Sequence, residues 1–123
     1  MKMIFAALAI VAALAAHAAA AAEAPDHSAN YYLPSCRAFV DKQLGRDPFT
    51  QGECVGILEA LAMTASDLDP AAFVTSRSCA PDDATLPQIT AVVVRWLDER
   101  PQRWNEDFRA LALFALHDAW PCK

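Results

Sequence analysis

Residues 85–122 read TLPQITAVVVRWLDERPQRWNEDFRALALFALHDAWPC, and this stretch decides the fold. It opens on Thr85-Leu86-Pro87-Gln88, the pattern of a capping box: the Thr85 hydroxyl takes a free amide of the first turn and Gln88 reaches back to the cap. Proline is tolerated there, because first-turn amides have no helical partner. Leu86, Ile89, Val92, Val93, Trp96 and Leu97 then recur at helical spacing and make a wide apolar face. Val92-Val93-Val94 alone reads as a strand, but the cap before it and Arg95, Asp98 and Glu99 after it decide for a helix. Pro101 ends that helix. A second one is expected from about Gln102 or Asn105, with Trp104, Phe108, Leu111, Ala115 and Leu116 in register, and Pro121 stops it. Two helices joined by a short turn lie antiparallel.

The hairpin constrains the four cysteines. Cys79 lies just before its first helix and Cys122 just after its second, and in an antiparallel pair those ends are neighbours. Cys79–Cys122 is therefore the natural bridge, which leaves Cys36–Cys54 to tie an upstream helix to the next. No two cysteines form a C-x-x-C pair, so neither a zinc ribbon nor a thioredoxin-like motif is supported.

Upstream, Ser35 to Gly45 carries Cys36, Phe39, Val40 and Leu44 on one side and predicts an amphipathic helix. The next is expected to open on a second capping box, Thr50-Gln51-Gly52-Glu53, and to run to about Asp67. Its buried stripe is Cys54, Ile57, Leu58, Leu61 and Ala65, and Gly56 inside it suggests the close approach of a neighbouring helix. Asp69-Pro70 starts a further turn of one or two windings through Val74, with Asp69 as cap. The sum is an all-α, disulfide-bonded bundle of four to five helices.

The first residues read as a secretory signal. Lys2 supplies the positive start, Met3 to Ala16 an apolar run, and Ala18 to Ala22 the small residues that a signal peptidase requires. Cleavage after Ala22 is preferred, and Ala16-His17-Ala18 is the second choice. An uncleaved anchor is disfavoured, because the run is mostly alanine and no basic cluster follows it. The expected organisation is a signal peptide over 1–22, a linker over 23–34 and a helical domain over 35–123. About a hundred residues remain after cleavage, enough for one core. An even cysteine count in an exported chain of that size implies disulfides.

The chain holds ten Lys and Arg against fifteen Asp and Glu, a net charge of −5 that the loss of Lys2 makes one more negative. That sign disfavours nucleic acid and anionic membrane, and favours a basic protein partner. Catalysis needs a nucleophile or metal with a base in reach. After cleavage only His27, in the linker, and His117, on the last helix, remain. A site built from Cys36 or Cys54 and His117 requires a free thiol in an oxidising compartment, which the cysteine count opposes. The carboxylate pairs Asp82-Asp83 and Glu106-Asp107 stand near helix starts, where negative charge is favourable; Asp98-Glu99 stands near a helix end, where it is not. Trp96, Trp104 and Trp120 recur near the hairpin as core or dimer-seam residues. No catalytic, metal or cofactor site is expected.

Taken together, TQGECVGILEA over 50–60, the corner Cys79-Ala80-Pro81-Asp82, Leu86-Pro87-Gln88-Ile89 leading into Val92-Val93-Val94-Arg95-Trp96-Leu97, Pro101, and the ending Ala119-Trp120-Pro121-Cys122 resemble the Rap/Tai family of immunity proteins. Gly56 is the small residue after the helix cysteine, and Trp120 stands where phenylalanine is expected. The resemblance runs from about Ser35 to Cys122 and rests on scaffold motifs. It implies a periplasmic, often dimeric helical protein of type VI secretion systems that neutralises a toxic effector, commonly a peptidoglycan amidase. An acidic surface suits a basic cell-wall hydrolase. Asp82 and Asp83, after Cys79, are the candidate partner contacts, and the same residues also serve as helix-start acids. Two other readings fit a small exported helical domain: an acid-stress holdase exposing apolar surface at low pH, and an orphan envelope domain. Client protection at pH about 2–3 separates the first, since carboxylates protonate there.

Overall fold

The computed structural model describes residues 26–45, 47–71 and 75–123. The expected signal peptide, residues 1–22, and the expected turn at Ala72, Phe73 and Val74 lie outside them. Four α-helices pack around one core: α1 (Ala29–Val40), α2 (Pro48–Thr64), α3 (Leu86–Asp98) and α4 (Phe108–Ala119). Short 3-10 turns follow α2 (Ala65–Asp67) and α3 (Pro101–Arg103). Among the described residues there is no strand, only the isolated bridges Ser28–Asp107 and Ser78–Pro121. No described helix is long and apolar enough to cross a membrane.

Helix α3 forms as its own residues dictate. Thr85 and Gln88 make the reciprocal capping box, with the Thr85 amide donating to Gln88 Oε1 at 2.8 Å. Ile89, Val93, Trp96 and Leu97 face inward. The other helices begin elsewhere than the sequence suggests. Helix α1 starts at Ala29, inside the expected linker, and carries Pro34 within it. The reason is tertiary: the free amides of Ala29 and Asn30 donate to the carbonyls of Glu106 and Trp104 at 3.0 and 2.8 Å. First-turn amides need such acceptors, and these come from the α3–α4 connection. Nor does Gly45 close α1. Lys42 does, at φ 57°, with Gln43 donating to Ala38 and Lys42 to Phe39. That is a Schellman ending with lysine in the position glycine favours.

Helix α2 starts a turn before the expected box. Asp47 is its cap, accepting from the Phe49 amide at 3.0 Å, and Pro48 takes the first helical position. Thr50, instead of capping, donates its hydroxyl to the Asp47 carboxylate. Gln51 clasps the preceding loop, accepting from Gly45 N and donating to Gln43 O. Gly56 admits no neighbouring helix: a Cβ there would meet nothing within 4 Å. Helix α4 starts later than expected, at Phe108. The Asp107 carboxylate takes the Arg109 and Ala110 amides, and Pro101–Arg103 forms its own turn.

Cys36 is bonded to Cys54 and Cys79 to Cys122, with Cα–Cα distances of 5.7 and 5.0 Å. The first bridge is fully buried and joins α1 to α2 within a core of Leu33, Leu58, Val93, Leu97, Phe108 and Leu116. The second lies at the surface. Loop-closure entropy gives the two bridges about 3 and about 4 kcal/mol, the larger for the longer loop.

Candidate partner interface

The segment leading into α3 is fixed at its base and open at its tip. At the base, the Cys79 amide donates to the Trp120 carbonyl at 2.8 Å, beside the Cys79–Cys122 bridge. At the tip, the Ala84 amide closes a turn onto the Pro81 carbonyl at 2.9 Å, with Asp82 and Asp83 in its centre. Both are exposed. The cap of α3 is Thr85, so neither aspartate caps the helix. Neither carboxylate forms a hydrogen bond or ion pair among the described residues.

Concave surfaces flank the turn. A notch of about 260 Å³ on one side includes Asp82, and a shallower cleft of about 390 Å³ on the other includes Asp83, Val92 and Trp120. No lysine or arginine lines either.

The other two acidic pairs are engaged internally. Asp98 pairs with Arg37 across α3 and α1, which accounts for a negative charge at a helix end. Glu99 lies 3.3 Å from Arg100, Glu106 pairs with Arg103 at 2.7 Å, and Asp107 pairs with Arg109. The Arg109 guanidinium and the first-turn amides hold the Asp107 carboxyl down to about 2. Arg103 likewise lowers Glu106, and the Thr50 hydroxyl lowers Asp47.

His27 is held in place: its carbonyl accepts from the Phe108 amide at 2.8 Å, and its ring Nδ1 lies 3.5 Å from the Tyr32 hydroxyl. The His117 Nδ1 lies 2.6 Å from the Arg77 carbonyl, so Nδ1–H donates. All four cysteines are bonded, so the conceivable Cys–His site has no thiol. Trp96 is buried under the Arg100 guanidinium and donates to Asp118 at 2.7 Å. Trp104 donates to the Leu97 carbonyl beneath Arg37. Both knit the hairpin together.

What emerges is a small helical domain clamped by two disulfides, with two adjacent uncommitted acids, Asp82 and Asp83, on one anchored corner. The model of the Rap1a immunity proteins matches residues 28–122, and the chain belongs to that family. No curated protein and no solved structure matches it.

Proposed function

We propose that this chain is a non-catalytic periplasmic immunity protein that binds and neutralises a toxic effector delivered by type VI secretion, a basic peptidoglycan amidase. Family membership over residues 28–122 carries the reading. The pairing of all four cysteines supports an oxidising compartment, in keeping with export through a leader cleaved after Ala22. The anchored turn of Asp82 and Asp83 is the contact surface: its carboxylates have no partner among the described residues, and opposite charge on the effector speeds encounter and fixes register. A rigid domain docked this way inhibits by covering the effector.

The test is co-expression in the periplasm with an amidase encoded beside this gene. Growth is expected to be restored, and an equimolar amount of oxidised protein to stop amidase turnover on peptidoglycan. An amidase that stays fully active with excess protein bound to it overturns the reading.

A further inference from the structure

The notch beside Asp82 has a composition that the fold does not explain. Ala62 and Met63 come from the end of α2, Ser66 from the 3-10 turn, and Ser78 and Pro81 from the segment after it. Met63, on the wall of this notch, is 72 % exposed. Ser78 is fully buried, and its hydroxyl has no hydrogen-bond partner among the described residues. A buried polar group without a partner is rare, because desolvation is not repaid. Asp82 is the one ionisable group on the lining.

No described cation pairs with Asp82. The described residues 47–71 carry Asp47, Glu53, Glu59, Asp67 and Asp69 and no lysine or arginine. Arg77, next to Ser78, keeps its charge but is directed at the Ser66 carbonyl, to which Nε and Nη2 donate at 3.1 and 2.9 Å, and not at Asp82. Thus one concave place combines apolar side chains, an unpartnered hydroxyl and a carboxylate without an ion-pair partner among the described residues, beside a helix that carries acids and no described base.

We propose that this notch receives a basic side chain, lysine or arginine, from the effector. The aliphatic stem lies against Met63, Ala62 and Pro81, as long cationic side chains do on apolar surface. The charged head meets Asp82 and, as the Ser78 side chain turns out towards the notch, donates to its hydroxyl and ends its isolation. A second copy of the chain is the poorer occupant, since two copies of net charge −5 repel each other. The proposal rests on the effector-binding reading and names the point where it acts.

The test is a ¹⁵N amide titration of the oxidised protein with acetyl-Ala-Lys-Ala-amide, its arginine analogue, and the uncharged norleucine analogue. One or both basic peptides are expected to shift the amides of Met63, Ser66, Ser78 and Asp82 saturably in the millimolar range, with norleucine at least fivefold weaker. Asp82→Asn should weaken that binding at least fivefold. Ser78→Ala should weaken it two- to fivefold, with the rest of the spectrum unchanged. Equal binding by norleucine, indifference to both variants, or no saturable shift at these amides overturns the proposal. Notch shifts on concentrating the protein alone overturn it in favour of a second copy. Growth rescue by the unmodified protein is read separately. Rescue with an indifferent notch sinks only this proposal; a saturable notch without rescue sinks the immunity reading and leaves the cation site standing.

Discussion

The α3–α4 connection and the Cys79 corner are both rich in acid, yet they use it in opposite ways. At the connection, four carboxylates meet four arginines, and two of those arginines also lie over Trp96. That region also holds the start of α1 through the Trp104 and Glu106 carbonyls. At the corner, Asp82 and Asp83 have no side-chain partner among the described residues, though the backbone beneath them is fixed by a disulfide and a hydrogen bond to Trp120. Charge spent internally stabilises a fold; charge held rigidly and left open favours a partner, because the ordering cost of presenting it is already met.

The largest expected effects come from removing what makes the corner rigid. Replacing Cys79 and Cys122 with alanine should destabilise the protein by about 4 kcal/mol, and the Cys36/Cys54 pair by about 3 kcal/mol plus the packing lost in the core, read from denaturant midpoints. The exposed bridge should also yield first to mild reductant, because thiolate attack needs access. Mass spectrometry of alkylated intermediates shows which opens. Loss of the buried bridge first would mean that the corner is the better protected region.

Alanine in place of each acid then contrasts the two regions directly. Asp107→Ala removes a helix cap and should cost about 1–2 kcal/mol. Asp82→Ala and Asp83→Ala should stay within about 0.5 kcal/mol in stability, as surface changes do, while weakening effector binding. A stability loss at Asp82 as large as that at Asp107 would put the corner acids to structural use.

The same contrast has a pH signature. The folded Asp107 carboxyl sits at about 2, below its ordinary 3.8. Its stabilisation is therefore full above about pH 4 and lost as pH falls towards 2. With the carboxylate 40 % exposed, solvent screening holds this below about 1 kcal/mol. Asp107→Asn should flatten the fall in stability between pH 4 and 2.5; an unchanged slope would assign the acid sensitivity to other carboxylates.

How far the chain discloses itself depends on whether the deciding partner is near in sequence. Thr85 and Gln88 are three residues apart, so α3 is read correctly from its own residues. The two disulfides follow from hairpin geometry, which needs only the order of the elements. The start of α1 is hidden, because its acceptors come from residues 104 and 106 and Pro34 looks like a beginning. At α2 two local caps compete, and Asp47-Pro48 prevails over Thr50. Asp82 and Asp83 stand out as a pair, but the notch does not, since Met63 and Ser78 meet only through the packing of α2 against the corner. A buried hydroxyl without a partner leaves no trace in sequence.

Two smaller changes test regions that take no part in the contrast. Lys42 holds a left-handed conformation at the end of α1, so Lys42→Gly should stabilise by about 0.5–1 kcal/mol, the steric relief outweighing the entropy lost by glycine. A drop in stability would show that the lysine side chain contributes more than its backbone strain removes.

Gly56→Ala is the mildest change and the sharpest test of where the effector sits. The glycine is exposed inside α2 with open space around its missing Cβ, so alanine should add about 0.5–1 kcal/mol by helix propensity alone. It does not line the notch, so affinity for the effector should be unchanged, measured by calorimetry on the oxidised protein. If stability rises while affinity falls severalfold, a flat face of α2 with no room for a methyl group is in contact with the effector. The corner would then no longer be the whole of the interface. If both hold as expected, the exposed face of α2 around Gly56 lies outside the contact, and the search for the interface narrows to the rest of the surface, the Cys79 corner first.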